Sequence, residues 1–318
     1  MTHSAGAPRP AYRDLPLLDE SGDERHSWSH WGAGDPLGCL NDIDQAARLA
    51  SLALVTRGAV ANLTLPLDLP DPPLFGRKPY QHTFFPPSKR SFVDDRIDSL
   101  YPQASTQWDG FRHLLLAGHG YFGGVDTDPA QDRTVLGVDH WARRGIVGRG
   151  VLVDVSDRIR QDLRADPGAP SAPIEIDELR EAVDRTAGLR RGDILCLRTG
   201  WMEYYLAADS AERIAVSQRF TWPGLSGSAE IAEYLWDSGV SAVVADNPGV
   251  EAAPGRRGAG SLHRRALALL GMPFGELFDF EDLHAGLAPD GRSDFLFLSV
   301  PLHLVGGVGS TGNAIAMY

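Results

Sequence analysis

The sequence predicts an α/β fold. Two observations carry that prediction: stretches with helical apolar spacing interleave with short apolar runs of strand length, and a hydrophobic fraction of 43% is enough to fill a core. No internal repeat is evident. Residues 1–25 are polar, carry Pro and Gly without periodicity, and read as a flexible arm able to dock on a neighbouring subunit. Residues 26–318 read as the folded domain. The first helix is expected over 43–58, where Ile43, Ala46, Ala47, Ala50 and Leu54 are apolar and Gly58 suits a stop. Residues 60–67 alternate like a strand. Residues 68–87 are Pro-rich and hold Phe75, Tyr80, His82, Phe84 and Phe85, either as a substrate wall or as rings packed on the core. The glycines of 117–124, with His119 among them, imply tight turns. Then follow a buried strand over 146–155, a helix over 176–187 with Asp177 as its cap, and a strand over 194–199. A helix over 229–238, a strand over 240–245, a short helix over 263–270 and strands over 295–300 and 313–318 complete the series.

Composition narrows the function. A length of 318 residues suits one large domain or two ordinary ones. There is no apolar run of about 18 residues, so no membrane span is expected. The first ten residues lack the apolar region of a signal peptide. Two cysteines, Cys39 and Cys196, make no disulfide framework and point to the reducing cytoplasm. A net charge of −12 argues against a nucleic-acid partner and leaves a small molecule. Abundant Ala, Gly, Arg and Asp with few Lys is the composition of a GC-rich bacterial genome.

The chemistry concentrates in Gln103-Ala-Ser-Thr106-Gln107-Trp108-Asp109-Gly110-Phe-Arg-His113. Gln103, Gln107, Asp109 and His113 stand at even offsets, which on an extended backbone direct side chains to one face. Far downstream, His263-Arg-Arg-Ala-Leu-Ala-Leu-Leu-Gly-Met-Pro-Phe-Gly-Glu276 supplies a second histidine and carboxylate. Two such clusters are what a divalent-metal site or an acid–base pair requires. The acidic run Asp279, Glu281 and Asp282 reads as a solvated face or helix caps.

These residues resemble the cyclase family of metal-dependent hydrolases, to which bacterial kynurenine formamidases belong. The family signature is similar to His-x-Gly-Thr-His-x-Asp-x-x-x-His. Laid on this chain, it places Thr106, Asp109 and His113 on matching types and Gln103 and Gln107 on its first two histidines. Trp31-Gly32…Gly38-Cys-Leu-Asn41 resembles the family's N-terminal stretch, His263…Glu276 its later metal ligands, and Pro301-Leu302…Gly306-Gly307-Val-Gly309-Ser310 its C-terminal motif. The resemblance implies one compact domain with a mixed, β-barrel-like sheet surrounded by helices, and a dimer or tetramer. It implies Asp109, His263 and Glu276, with Gln107, as ligands of one divalent ion (Mn or Zn), and His113 as general acid/base. Gln103, Trp108, His119, Phe84 and Phe85 are the expected substrate contacts.

A Gln carbonyl oxygen is a hard, neutral ligand that suits Mg, Ca or Mn better than Zn. Three readings therefore stand. The first is hydrolysis of an amide, lactam or lactone in a small aromatic or cyclic metabolite, using metal-activated water and a histidine that titrates near neutral pH. The second needs no metal: Asp109, His113 and Glu276 act as acid and base in a cyclase, lyase or lactone hydrolase of secondary metabolism. The third is a small-molecule-binding protein without turnover.

Overall fold

The computed structural model describes residues 8–86, 92–165 and 171–318. Residues 1–7 of the expected arm and Pro87 of the Pro-rich stretch lie outside them. Nine strands form one sheet: β1 (Val60–Asn62), β4 (Gln107–Asp109), β5 (Ile146–Asp154), β6 (Ile194–Arg198), β7 (Ala242–Ala245), β8 (Phe274–Glu276), β9 (Asp294–Ser299), β10 (Gly309–Thr311) and β11 (Ala314–Met317). A separate hairpin pairs β2 (Gln81–Phe84) with β3 (Asp95–Asp98). The helices are α1 (Gln45–Leu52), α2 (Asp139–Arg144), α3 (Ser156–Ala165), α4 (Ile176–Asp184), α5 (Trp201–Ala207), α6 (Ser210–Gln218), α7 (Ala229–Asp237) and α8 (Glu281–Leu287).

The sheet order is β1-β11-β9-β5-β6-β7-β8-β4-β10. β5 to β8 run parallel, because helical crossovers return the chain to the same edge each time. Their sequences (Val151-Leu-Val, Ile194-Leu-Cys-Leu, Ala242-Val-Val-Ala) are unbroken apolar runs, as strands covered on both faces require. The strands on either side of this block pair antiparallel.

Connectivity forces curvature. β10 lies at one end of the sheet and β11 next to the other, yet only Gly312 and Asn313 separate them in sequence. The sheet therefore curls until its ends meet. A bridge from Thr64 to Phe278 spans the seam. The Thr106 hydroxyl accepts from the Leu65 amide at 2.8 Å and donates to the Leu277 carbonyl at 2.6 Å. Trp108 fills the interior of the curl. Its ring centroid lies 5.6 Å from Phe278, 6.1 Å from Phe297 and 6.5 Å from Trp141, and its indole N–H donates to Ser299 Oγ at 2.9 Å.

Several elements differ from the sequence reading. The first helix starts at Gln45, capped by Asp44, and ends at Leu52, well short of Gly58. The strand at 60–67 pairs only through Asn62, since Leu65 turns to Thr106 and the prolines that follow donate no ladder bond. Asp177 lies inside the first turn of α4 and caps nothing. Residues His263–Leu269 form a π-helical turn.

The described part of the arm is docked on its own chain. Tyr12 is buried, its amide donates to Asp237 Oδ1 at 2.7 Å, and Arg9 stacks 4.5 Å over Trp236. The Trp31 region packs against Trp236 as well. Gly38, at φ +53°, comes so close to the Gly271 carbonyl that a Cβ would collide with it. Among the described residues no helix is long and apolar enough to cross a membrane.

Trp108→Ala should cost about 3–5 kcal/mol of stability, read as a lowered urea midpoint, because it empties the curl. Phe84→Ser on the exposed hairpin should stay within about 0.5 kcal/mol. Equal midpoints for the two variants would contradict the assignment of the core.

Candidate active site

The site grows from β4. Strand alternation sends Trp108 into the curl and leaves Gln107 and Asp109 on the opposite face. β8 lies antiparallel beside it, with Gln107 opposite Glu276. The Gln107 amide N–H donates to Glu276 Oε2. At Gly110 the chain leaves the strand so close to the Val308 carbonyl that a Cβ would collide. The turn closed by the His113 amide on the Gly110 carbonyl (2.8 Å) then brings His113 Nε2 to 3.6 Å from Asp109 Oδ2.

His263 enters from the π-helical turn. Its Nε2 lies 3.1 Å from Glu276 Oε1 and 3.7 Å from Asp109 Oδ2. Its Nδ1 lies 2.6 Å from Glu251 Oε1, and Glu251 is itself held by the Leu262 amide at 2.6 Å and the Ser261 hydroxyl at 3.0 Å. Sequence reasoning did not single out Glu251. Its signal was position: it lies in the loop after β7, beyond the carboxyl end of a parallel strand, where open α/β sheets bind ligands.

Burial dominates the electrostatics. It works to raise Asp109, yet the hydrogen bond to His263 and the charges of His113, His263 and Arg77 hold its carboxyl below the usual range. Glu276 goes the other way. Burial and then the charge of Asp109 raise it, against the pull of His263 and Gln107. Burial lowers His263, but hydrogen bonds to Asp109, Glu251 and Glu276 prevail and lift it well above its ordinary value. Arg77 is lowered by burial, an effect its attraction to Asp109 and Glu276 offsets only in part.

These residues fit a divalent ion. One ligand atom each from Asp109, His263 and Glu276 lies within 4.8 Å of the others. Asp109 Oδ1 and Gln107 Oε1 are buried and find no hydrogen-bond partner among the described residues, and such orphaned oxygens beside a cluster of ligands are what an ion would satisfy. With Nδ1 donating to Glu251, His263 presents Nε2 as the ligand, the carboxylate–histidine arrangement of metal centres.

Above the cluster opens a cavity of about 590 Å³, lined by Asp109, His113, Glu251, His263, Glu276 and Arg77 and walled by Phe75, Phe220 and Trp222. The three rings stand edge to face, 4.6 to 5.9 Å apart. Asp109, His113, His263, Glu276 and Gln107 thus come together. Four of the five expected substrate contacts are not brought to this cavity. Trp108 belongs to the core. His119 lies 3.6 Å from Asp19. Phe84 and Phe85 stand exposed on or beside the hairpin. The fifth, Gln103, packs its side chain against Gly309 and enters the site only through its backbone carbonyl, which accepts from Arg77 Nη1. Even offsets hold only while the backbone stays extended, and here that is three residues.

A family model described as "Putative cyclase" matches residues 61–252. Among solved structures, the chain is similar to one described as a novel cyclase, with 29% identity, a TM-score of 0.79 and coverage of 92% of this chain and 97% of that one. An isatin hydrolase A from Labrenzia aggregata bound to benzyl benzoate matches at 16% identity and TM-score 0.58, over 86% and 99% of the two chains. An isatin hydrolase A from Ralstonia solanacearum matches at 18% and 0.58, over 85% and 95%. These last two likenesses are of fold. No curated protein matches the chain.

The raised carboxyl of Glu276 has a consequence for stability. Its stabilising effect is complete below the ordinary glutamate value of 4.5 and is lost as pH rises through the folded value of about 7. Metal-free protein should therefore lose stability between about pH 5 and pH 7.5. Asp193 and Asp246, raised by burial to about 6 and about 7, add to the same slope. Urea melts across this range should show a shallower loss for Glu276→Gln, by on the order of 1 kcal/mol or more. An unchanged slope would remove Glu276 as the source.

Proposed function

This chain belongs to the cyclase family, and we propose that it is a metal-dependent hydrolase of a small aromatic or cyclic molecule, cleaving an amide, lactam or lactone bond. One observation carries the reading: Asp109, His263 and Glu276 converge beneath a cavity walled by Phe75, Phe220 and Trp222, with His113 beside Asp109. Asp109, His263 and Glu276 would hold the ion, with Gln107 Oε1 as a neutral fourth ligand. This oxygen-rich donor set favours Mn over Zn. When bound, the ion supplies Lewis acidity and lowers the pKa of water.

The remaining roles belong to the chain. Glu251 fixes the tautomer of His263 and the direction of its ring. The aromatic walls orient a planar ring and exclude water around it. His113, a third exposed and 3.6 Å from Asp109, is placed to take a proton from the attacking water and return it to the leaving nitrogen or oxygen. The imidazolium formed when His113 takes up that proton would be stabilised by the ionised Asp109 carboxylate 3.6 Å from Nε2.

Plasma mass spectrometry on protein purified without chelators should find about one Mn or Zn per chain, lost in Asp109→Ala. Glu251→Gln should weaken binding of the ion about 10–100-fold. His113→Ala should keep the ion and lower turnover of aryl lactones and N-acyl anilines about 10²–10⁴-fold. A folded, metal-free wild type would sink the metal reading and leave acid–base chemistry at Asp109, His113 and Glu276. A metal-loaded protein inert to the whole panel would favour a binding protein.

A further inference from the structure

The hydrolase reading assigns no role to Arg77, the one guanidinium that lines the cavity among the described residues. Arg77 enters from the Pro-rich loop, two residues after Phe75. Phe75 adopts φ +62° and ψ 24°, a left-handed conformation that bulky residues rarely take and that tends to persist where a site depends on it. The guanidinium carbon of Arg77 lies 4.9 Å from the centre of the Phe75 ring, within reach of a cation–π contact. Its Nη1 donates to the Gln103 carbonyl, which anchors the group.

Nε and Nη2 share the other edge of the guanidinium. Neither donates to any of the described residues, and Arg77 lines the cavity, so this edge is left for a ligand there. A planar edge with two parallel N–H groups matches the two oxygens of a carboxylate. The need for such a group is electrostatic. Asp109, Glu251 and Glu276 line the same cavity and the chain as a whole carries −12, so an anionic ligand is repelled unless a cation receives it. A divalent ion together with Arg77 would balance those three carboxylates.

We propose that Arg77 sets substrate specificity: its open edge grips the carboxylate of an aromatic acid whose ring lies against Phe75, Phe220 and Trp222, leaving the bond to be cleaved over Asp109, His263 and Glu276. This substrate class rests on the hydrolase reading for the reaction, but the binding preference can be measured apart from it.

Benzoate and benzamide are isosteric probes that differ in charge. Calorimetric titration of the metal-supplemented full chain should show benzoate binding at least about tenfold more tightly than benzamide. Arg77→Met should abolish that preference while leaving benzamide affinity and metal content unchanged. Phe220→Ala should weaken both probes alike. A wild type without the preference overturns the proposal. So does a preference that survives in Arg77→Met, since the anion would then be read by the ion. Should Arg77→Met fail to fold, Arg77→Lys keeps the charge and loses the fork. Most of the preference should vanish there too, and full retention counts against the proposal. Absence of metal or of turnover, with the Arg77-dependent preference intact, would sink the hydrolase reading alone.

Discussion

The structure depends on three residues of β4. Trp108 is committed to the interior of the curled sheet, locked by rings from both sides of the seam and by its indole N–H on Ser299. Because a strand alternates with period two, that commitment places Gln107 and Asp109 on the site face and holds them there. A slip of one residue would bury a carboxylate in the aromatic core and expose an indole, each at a cost of several kcal/mol. The register with β8 extends the constraint, since pairing Gln107 with Glu276 fixes the second carboxylate relative to the first. Core packing and site geometry are thus one requirement met by one strand.

Around this strand the charges form a closed set. Two carboxylates of opposite pKa tendency, Asp109 and Glu276, face the same imidazole nitrogen, and a third, Glu251, holds the other nitrogen. With His263 protonated, the arrangement is a cation in a cage of acids. With an ion in its place, the same cage becomes a ligand set whose histidine is already oriented. The low-lying Asp109 stays charged in both states, whereas Glu276 must give up a proton to become a ligand. Binding of an ion would therefore be coupled to ionisation of Glu276, which would link the folding behaviour of the protein to the proposed chemistry.

The parallel strands β5, β6 and β7 were legible in the sequence because burial on both faces leaves unbroken apolar runs, as within Ile194–Arg198 and Ala242–Ala245. The three-residue strands β4, β8 and β10 were not, because so short a run carries no period of its own and exists only through its partners. The resemblance to the family directed attention to Asp109, His113, His263 and Glu276, and the fold brings all four together. Offset reasoning put Gln103 on the same face, but the chain is extended only from Gln107 to Asp109. Of the rings that aromatic content pointed to in the Pro-rich loop, Phe75 reaches the cavity through a left-handed turn, while Phe84 follows the hairpin away from it. Phe220 and Trp222 were invisible because their approach is made by tertiary folding alone, and Glu251 showed only through its place in the loop after β7.

The two glutamines that replace histidines do different things, and the difference bears on the chemistry. Gln107 stays at the site, its amide N–H on Glu276 and its carbonyl oxygen buried without a partner beside Asp109. It trades a strong nitrogen ligand for a weak oxygen one and moves the donor set towards harder ions. Gln103 turns away, and only its backbone carbonyl remains, anchoring Arg77. A site with Gln107 in this role would hold an ion less tightly than one with a further imidazole, and Arg77 at the cavity wall would offer the charge that an anionic ligand needs. Asp109, Glu251 and His263 stand in mutual register and Arg77 lines the same cavity, so the proposed site combines a cluster of acids around one imidazole with a cation able to receive an anionic ligand.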